Sequence, residues 1–258
     1  MELSIKDQWF VVCGAGSGFG RAIAEKLLSE GALVLAVART QAVLDEFQQQ
    51  WPGQLFNICG DITRAEVQQL VMEFIDGKTI SGLVVNAGGP PAKSFLETEL
   101  TDWDNAWMSL VRWKLALTMQ FIPVFRKQQY GRLVFIESVS VKQPIENLVL
   151  SNSLRLAVVG FVKSLAKEVA AEHITLNVLA PGYHDTAAMK RLFQKKADMS
   201  HISVGDAKKS FETLIPVGTM GEAFEMAELA TWLLSPNARY VTGQTISHDG
   251  GVVHGLFG

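Results

Sequence analysis

The chain has few of the residues that build metal sites or cross-linked extracellular folds. Its 258 residues include two cysteines, Cys13 and Cys59, each set in an apolar, strand-like run. No Cys-x-x-Cys pair or Cys/His cluster accompanies them. His173, His201, His248 and His254 show no metal-ligand spacing, so no metal site is expected. Two thiols in so long a chain fit a reducing, cytoplasmic setting. Charge of one sign is also lacking. The 23 basic and 26 acidic side chains leave a net −3, spread along the chain. That excludes the concentrated basic face needed by a nucleic-acid or membrane-surface binder. No apolar run reaches the roughly 18 residues expected of a bilayer span, and Met1 to Asp7 is too polar for a signal segment. With no internal repeat and no low-complexity linker, a single domain over residues 1–258 is expected.

What the chain has is alternation. Short β-rich runs at 9–13, 32–37, 55–59, 83–85, 133–136, 174–179 and 244–247 read as strands. Longer amphipathic runs at 21–29, 41–50, 64–75, 103–127 and 152–171 read as helices. Strands that are apolar throughout and separated by helices imply a parallel sheet covered on both faces. The expectation is an α/β fold: a three-layer, doubly wound parallel sheet of Rossmann type with about seven strands. The stretch 183–217 reads as irregular, a candidate substrate lid. With 48% apolar residues, the chain can fill such a core.

The first strand runs into Cys13, Gly14, Ala15, Gly16, Ser17, Gly18, Phe19, Gly20 and Arg21, and a helix follows at once. Glycines there let the backbone turn tightly and approach a pyrophosphate, which free N–H groups and the helix dipole then hold. Gly14, Gly16, Ser17, Gly18, Phe19 and Gly20 are therefore candidate dinucleotide contacts. After the second strand an acidic residue would select NAD(H). This chain has Ala38, Arg39 and Thr40 instead, and Arg39 suits a 2′-phosphate, so NADP(H) is preferred, with NAD(H) the alternative.

With these motifs in order, the chain resembles the short-chain dehydrogenase/reductase family, in particular its ketoacyl-reductase-like members, nearly end to end. The family's glycine motif corresponds to Cys13, Gly14, Gly18 and Gly20. Its Asn-Ala-Gly corresponds to Asn86, Ala87 and Gly88, and its Pro-Gly to Pro181 and Gly182. The C-terminal signature matches Tyr240 to Gln244 and Asp249 to Gly251. The resemblance implies adenine contacts at Asp61 and Ile62 and a nicotinamide contact at Thr186. It also implies a homodimer or homotetramer.

The family's catalytic residues are largely replaced. Ser138 matches its serine, but the tyrosine position holds Ser151, the lysine position Arg155, and the supporting asparagine would fall near Leu110 or Val111. The chain is thus similar to a divergent subgroup with an altered tetrad. Carbonyl reduction needs a hydride and a proton. A serine hydroxyl is a far weaker acid than tyrosine, and arginine does not release a proton. Arg155 still offers positive charge to an alkoxide or to the cofactor's ribose. A relocated proton donor is sought at Tyr183 or His184, directly after Pro181 and Gly182, with Lys142 also near the substrate loop. The basic residues Lys190, Arg191, Lys195, Lys196, Lys208 and Lys209 either attract an anionic acyl thioester or form a solvated helix face. Three readings remain open: an oxidoreductase acting on a small carbonyl or alcohol, a catalytically inactive dinucleotide-binding sensor or assembly subunit, and non-redox chemistry such as dehydration.

Overall fold

Seven apolar runs pair side by side because each can bury both of its faces. They are β1 (Trp9–Cys13), β2 (Leu33–Ala38), β3 (Leu55–Cys59), β4 (Ile80–Val85), β5 (Gly131–Ile136), β6 (Ile174–Pro181) and β7 (Thr245–His248). A computed structural model of the chain describes residues 2–256, without the side chains of residues 187, 188, 191 and 195. All strand pairs are parallel, in the order β3-β2-β1-β4-β5-β6-β7. Every residue of β4, β5 and β6 is buried, as expected where helices cover both faces. The expected three-layer fold is the observed one. Met1, Phe257 and Gly258, part of the expected domain, lie outside the described residues.

Strand alternation sends successive side chains to opposite layers. Phe10 and Val12 join α1 (Gly18–Ser29), α2 (Gln41–Gln50) and α9 (Ala223–Leu234) in one core. Val11 and Cys13 join α3 (Ala65–Ile75), α5 (Trp113–Gln128) and α6 (Val149–Val169) in the other. The span 149–172 is long and apolar enough to cross a membrane by length and composition alone. It lies instead along the sheet, with Val158, Val162 and Ala166 in the second core.

Two expectations need correction. The run 103–127 is not one helix: α4 (Leu100–Trp107) passes through a π-helical turn, Met108–Arg112, before α5. That wider turn shifts the helix phase and buries both Leu110 and Val111. The stretch 183–217 is not irregular, because it contains α7 (Ala187–Ser200) and α8 (Val204–Glu212). Their starts are capped, with Thr186 Oγ1 accepting from Met189 N at 3.4 Å and Ser203 Oγ from Asp206 N at 3.0 Å. Both helices pack on a small apolar cluster of their own that includes Phe193, Ala207 and Ile215. Strand order reverses between β1 and β4, which opens a crevice at the strands' C-terminal ends.

Phe121 of α5 is fully buried against Phe125, with ring centroids 5.7 Å apart. Phe121→Ala is expected to lower folding stability by about 3–5 kcal/mol. A urea titration with an unshifted midpoint would contradict this packing.

Candidate active site

The glycine turn leaves β1 at that crevice and enters α1 at Gly18. Gly14 has φ +67°, and a Cβ there would lie 2.8 Å from the Asn86 carbonyl oxygen. A Cβ on Gly20 would fall onto the Gly14 carbonyl oxygen, so α1 packs against the turn only with glycine there. Gly18 has φ +57°, and a Cβ on it would approach Thr186 Cγ2 at 4.0 Å. A Cβ on Gly16 would lie 3.2 Å from Ala38 Cβ. Ser17 precedes α1 without capping it through its side chain, so the first-turn amides face the crevice uncapped. These are the features of an anion cradle at a helix N-terminus, and they fit a pyrophosphate.

The other expected dinucleotide contacts stand around it. Arg39 and Thr40 are exposed at the end of β2. Asp61 follows β3, its Oδ1 accepting from Thr63 N at 3.0 Å and Thr63 Oγ1 at 2.8 Å, while Ile62 beside it is buried. Asn86 Nδ2 donates to the Cys13 carbonyl at 3.4 Å, tying the end of β4 to β1, with Ala87 and Gly88 following. Pro181 ends β6, and Gly182 lies so close to Asp249 that a Cβ would meet its Cβ at 2.8 Å. Thr186 starts α7 beside Gly18. Cys13 is wholly buried, which pushes its thiol up to about 12, so it stays protonated and unreactive.

Beyond the end of β5 lies a buried ionic cluster. Glu137, completely inaccessible, accepts from Lys114 Nζ on one oxygen and from Arg155 Nη1 on the other at 2.8 Å. Arg155 Nε donates to Ser151 Oγ at 2.9 Å, one helical turn back along α6. Ser138 follows Glu137 directly and caps a short turn, its Oγ accepting from Ser140 N at 3.2 Å. Lys142 closes that turn, its N–H donating to Val139 O at 2.8 Å. The fold thus brings Ser151 and Arg155 onto Glu137, with Ser138 next to it in the chain. Burial lowers the Lys114 pKa to about 8, against the upward pull of Glu137 and with a further push from the Arg155 cation.

Tyr183 and His184 stand elsewhere. The Tyr183 ring packs on Phe211 at 5.5 Å, and burial raises its pKa, the wrong direction for a proton donor. Buried His184 has an Nε2–His248 Nδ1 bond of 2.8 Å, and its Nδ1 lies 3.2 Å from Gly182 O. Burial also lowers its pKa, so it is neutral near pH 7. The carbonyl contact puts the proton on Nδ1 and leaves Nε2 to accept from His248. Both residues line a cavity of about 390 Å³ whose wall includes none of Ser138, Ser151 and Arg155. Within 183–217, Lys208 bonds Asp185 at 2.6 Å with Lys190 3.9 Å from the same carboxylate, and Lys196 lies over Phe211. The side chains of Arg191 and Lys195 lie outside the described ones.

Sequence reasoning missed Lys114, Glu137 and the His248 partner. A signal existed for Lys114: Leu110, Trp113, Leu117 and Phe121 place it on the buried face of its helix. Glu137 likewise interrupts an apolar strand end next to Ser138.

Residues 14–253 match the family model described as Enoyl-(Acyl carrier protein) reductase. A 3-oxoacyl-(acyl-carrier-protein) reductase of Aquifex aeolicus strain VF5 is 30% identical, covering 98% of this chain and 100% of the relative. The reductase of that name from Escherichia coli K12 is 29% identical over 94% of this chain and 96% of its own. An L-sorbose reductase from Gluconobacter frateurii, solved with NADPH and L-sorbose, superposes with a TM-score of 0.93 at 25% identity, covering 99% of this chain and 100% of that one.

Removing the shared carboxylate would leave two buried cations without a counter-charge. Glu137→Ala is expected to cost about 3–5 kcal/mol of stability. A chemical denaturation curve matching the wild type would show that the cluster is not buried as described.

Proposed function

The chain belongs to the short-chain dehydrogenase/reductase family, and we propose that it is an NADP(H)-dependent oxidoreductase that interconverts a small carbonyl compound and its alcohol. The observation that carries this reading is the glycine cradle, where Gly14 and Gly20 leave no room for a Cβ and the α1 amides lie open. The residues that would hold the dinucleotide are Gly14 to Gly20 for the pyrophosphate, Asp61 and Ile62 for adenine, and Asn86, Ala87, Gly88, Pro181, Gly182 and Thr186 on the nicotinamide side. Exposed Arg39 beside Thr40 suits a 2′-phosphate. When bound, the reduced cofactor supplies the hydride.

The chain's own residues manage the oxygen. Ser138 and Ser151 donate hydroxyl hydrogens to the carbonyl oxygen. Arg155 Nε already donates to Ser151 Oγ, which leaves the Ser151 hydrogen free to point outward and makes it a better donor. The guanidinium charge, held by Glu137, steadies the developing alkoxide. Since arginine keeps its protons, the net proton comes from solvent through the Ser151 hydroxyl. This is a relocated donor of a different kind from Tyr183 or His184. An acyl thioester is a candidate substrate, since relatives are named as acting on 3-oxoacyl carrier proteins.

We also propose a homodimer or homotetramer, supported by the exposed Trp107, Met108, Met119 and Leu156 along α4 to α6. The free thiols, Cys13 and Cys59, fit the cytoplasm. One observation favours a second reading, dinucleotide binding without turnover: the family's tyrosine position holds a serine whose Oγ already accepts from Arg155.

Direct titration with NADPH and NADH, followed by turnover assays on ketones and 3-oxoacyl thioesters, separates these readings. Arg39→Ala is expected to weaken NADPH binding by about 10- to 100-fold and leave NADH unchanged. Ser151→Ala is expected to lower kcat by about 10²-fold with NADPH affinity retained. Tight NADPH binding with no turnover on any carbonyl would favour the second reading, and no dinucleotide binding would overturn both.

A further inference from the structure

The buried cluster is one anion short. Lys114 and Arg155 share the single carboxylate of Glu137, and their side chains are 2%, 10% and 0% exposed for Lys114, Arg155 and Glu137 respectively. An ordinary buried ion pair cancels its own charge, whereas this one leaves a surplus cation in a low-dielectric setting, which is costly unless something compensates it. Four features indicate where the compensation would sit. Arg155 uses Nε on Ser151 and Nη1 on Glu137, and its Nη2 hydrogens have no partner among the described residues. Nη2 faces Gly89, where a Cβ would lie 3.2 Å away, so the missing side chain leaves space at that edge. Gly89 is exposed, which connects the edge with solvent. Ser151 lies in the first turn of α6, whose dipole adds to the positive potential there.

We propose that this Nη2 edge of Arg155 is an anion site, and that the substrate is a short oxo acid whose carboxylate docks on it. The inference rests on the reductase reading and names its substrate class. Nε and Nη2 are neighbouring donors on one guanidinium. A ketone oxygen at Ser151 and a carboxylate at Nη2 are therefore separated by about the span of a 2- or 3-oxo acid. Arginine suits this role because its planar fork presents donors in fixed directions to a carboxylate. Lys114 and Glu137 are positioning residues: Glu137 orients the guanidinium, and Lys114 supplies the surplus charge. The charged groups facing Lys114 are Glu137, directly after β5, and Arg155 from α6. Lys114 titrates at about 8, so the surplus is present at neutral pH and fades above that value.

The test is calorimetric titration of acetoacetate and of its neutral methyl ester into the full-length protein, with and without NADP+, an oxidised cofactor that cannot reduce either probe. Wild type is expected to bind the acid at least about tenfold more tightly than the ester. Lys114→Met, which keeps an unbranched apolar side chain and a neutral Glu137–Arg155 pair, is expected to erase most of that preference without changing ester binding. As a check that needs no variant, the wild-type preference should fall between pH 7 and pH 9, where the acid stays ionised. Equal affinity for acid and ester, or a preference unaffected by both Lys114→Met and pH, overturns the inference. It would mean that the edge serves only neutral groups such as a ribose hydroxyl. NADPH oxidation is followed separately with both compounds. An acid preference without turnover keeps the anion site and counts against the reductase reading. Turnover of acid and ester alike keeps the reductase reading and removes the site.

Discussion

A single buried carboxylate, Glu137, ties β5 to the two helices that cover one face of the sheet. Lys114 reaches it from α5 and Arg155 from α6, so one residue fixes the register of three elements at the mouth of the crevice. The arrangement depends on desolvation. In water such pairs contribute little, but in a closed interior each charge requires a partner, and the loss of Glu137 would strand both cations. Ser138 and Ser151 are placed by this cluster, the first by following Glu137 in the chain and the second by accepting from Arg155.

The same cluster joins a serine and an arginine of α6 to the buried carboxylate. A lysine at position 155 would present a compact charge, whereas arginine spreads its charge over a plane with several directed donors. One donor bonds Ser151 and one bonds Glu137. Leu110 and Val111, near which the resemblance puts the supporting asparagine, are both buried in the π-helical turn.

The glycine turn and the segment 183–217 follow different physical rules. Gly14, Gly18 and Gly20 are required by backbone geometry, two through positive φ and one through close packing against a carbonyl. The segment 183–217 is held by its own apolar cluster and by Asp185 bonding Lys208. It is therefore separate in packing from the two main cores. His184 connects the two regions: its ring stands edge-on to Phe19 of the glycine turn at 5.0 Å and bonds His248 at the end of β7.

Local pattern alone determined the parallel sheet, the place of the glycine turn and the residues that line the strands' C-terminal ends. Those features rest on interactions between near neighbours in sequence: two-residue alternation, helical periodicity, and glycine where the backbone turns. The same reasoning stopped at 103–127, because a π turn leaves the apolar pattern almost unchanged while rotating the helix beyond it. It also missed the capped helices of 183–217, where Thr186 and Ser203 were the available signs. Only the tertiary structure decided that Lys114, Glu137 and Arg155 form one cluster, since they come from three elements with up to 41 positions between them. It also decided that Tyr183 packs on Phe211 in the small apolar cluster and lines a cavity whose wall does not include Ser138. Pairing of buried charges is set by which elements the fold brings face to face, and no local spacing records it.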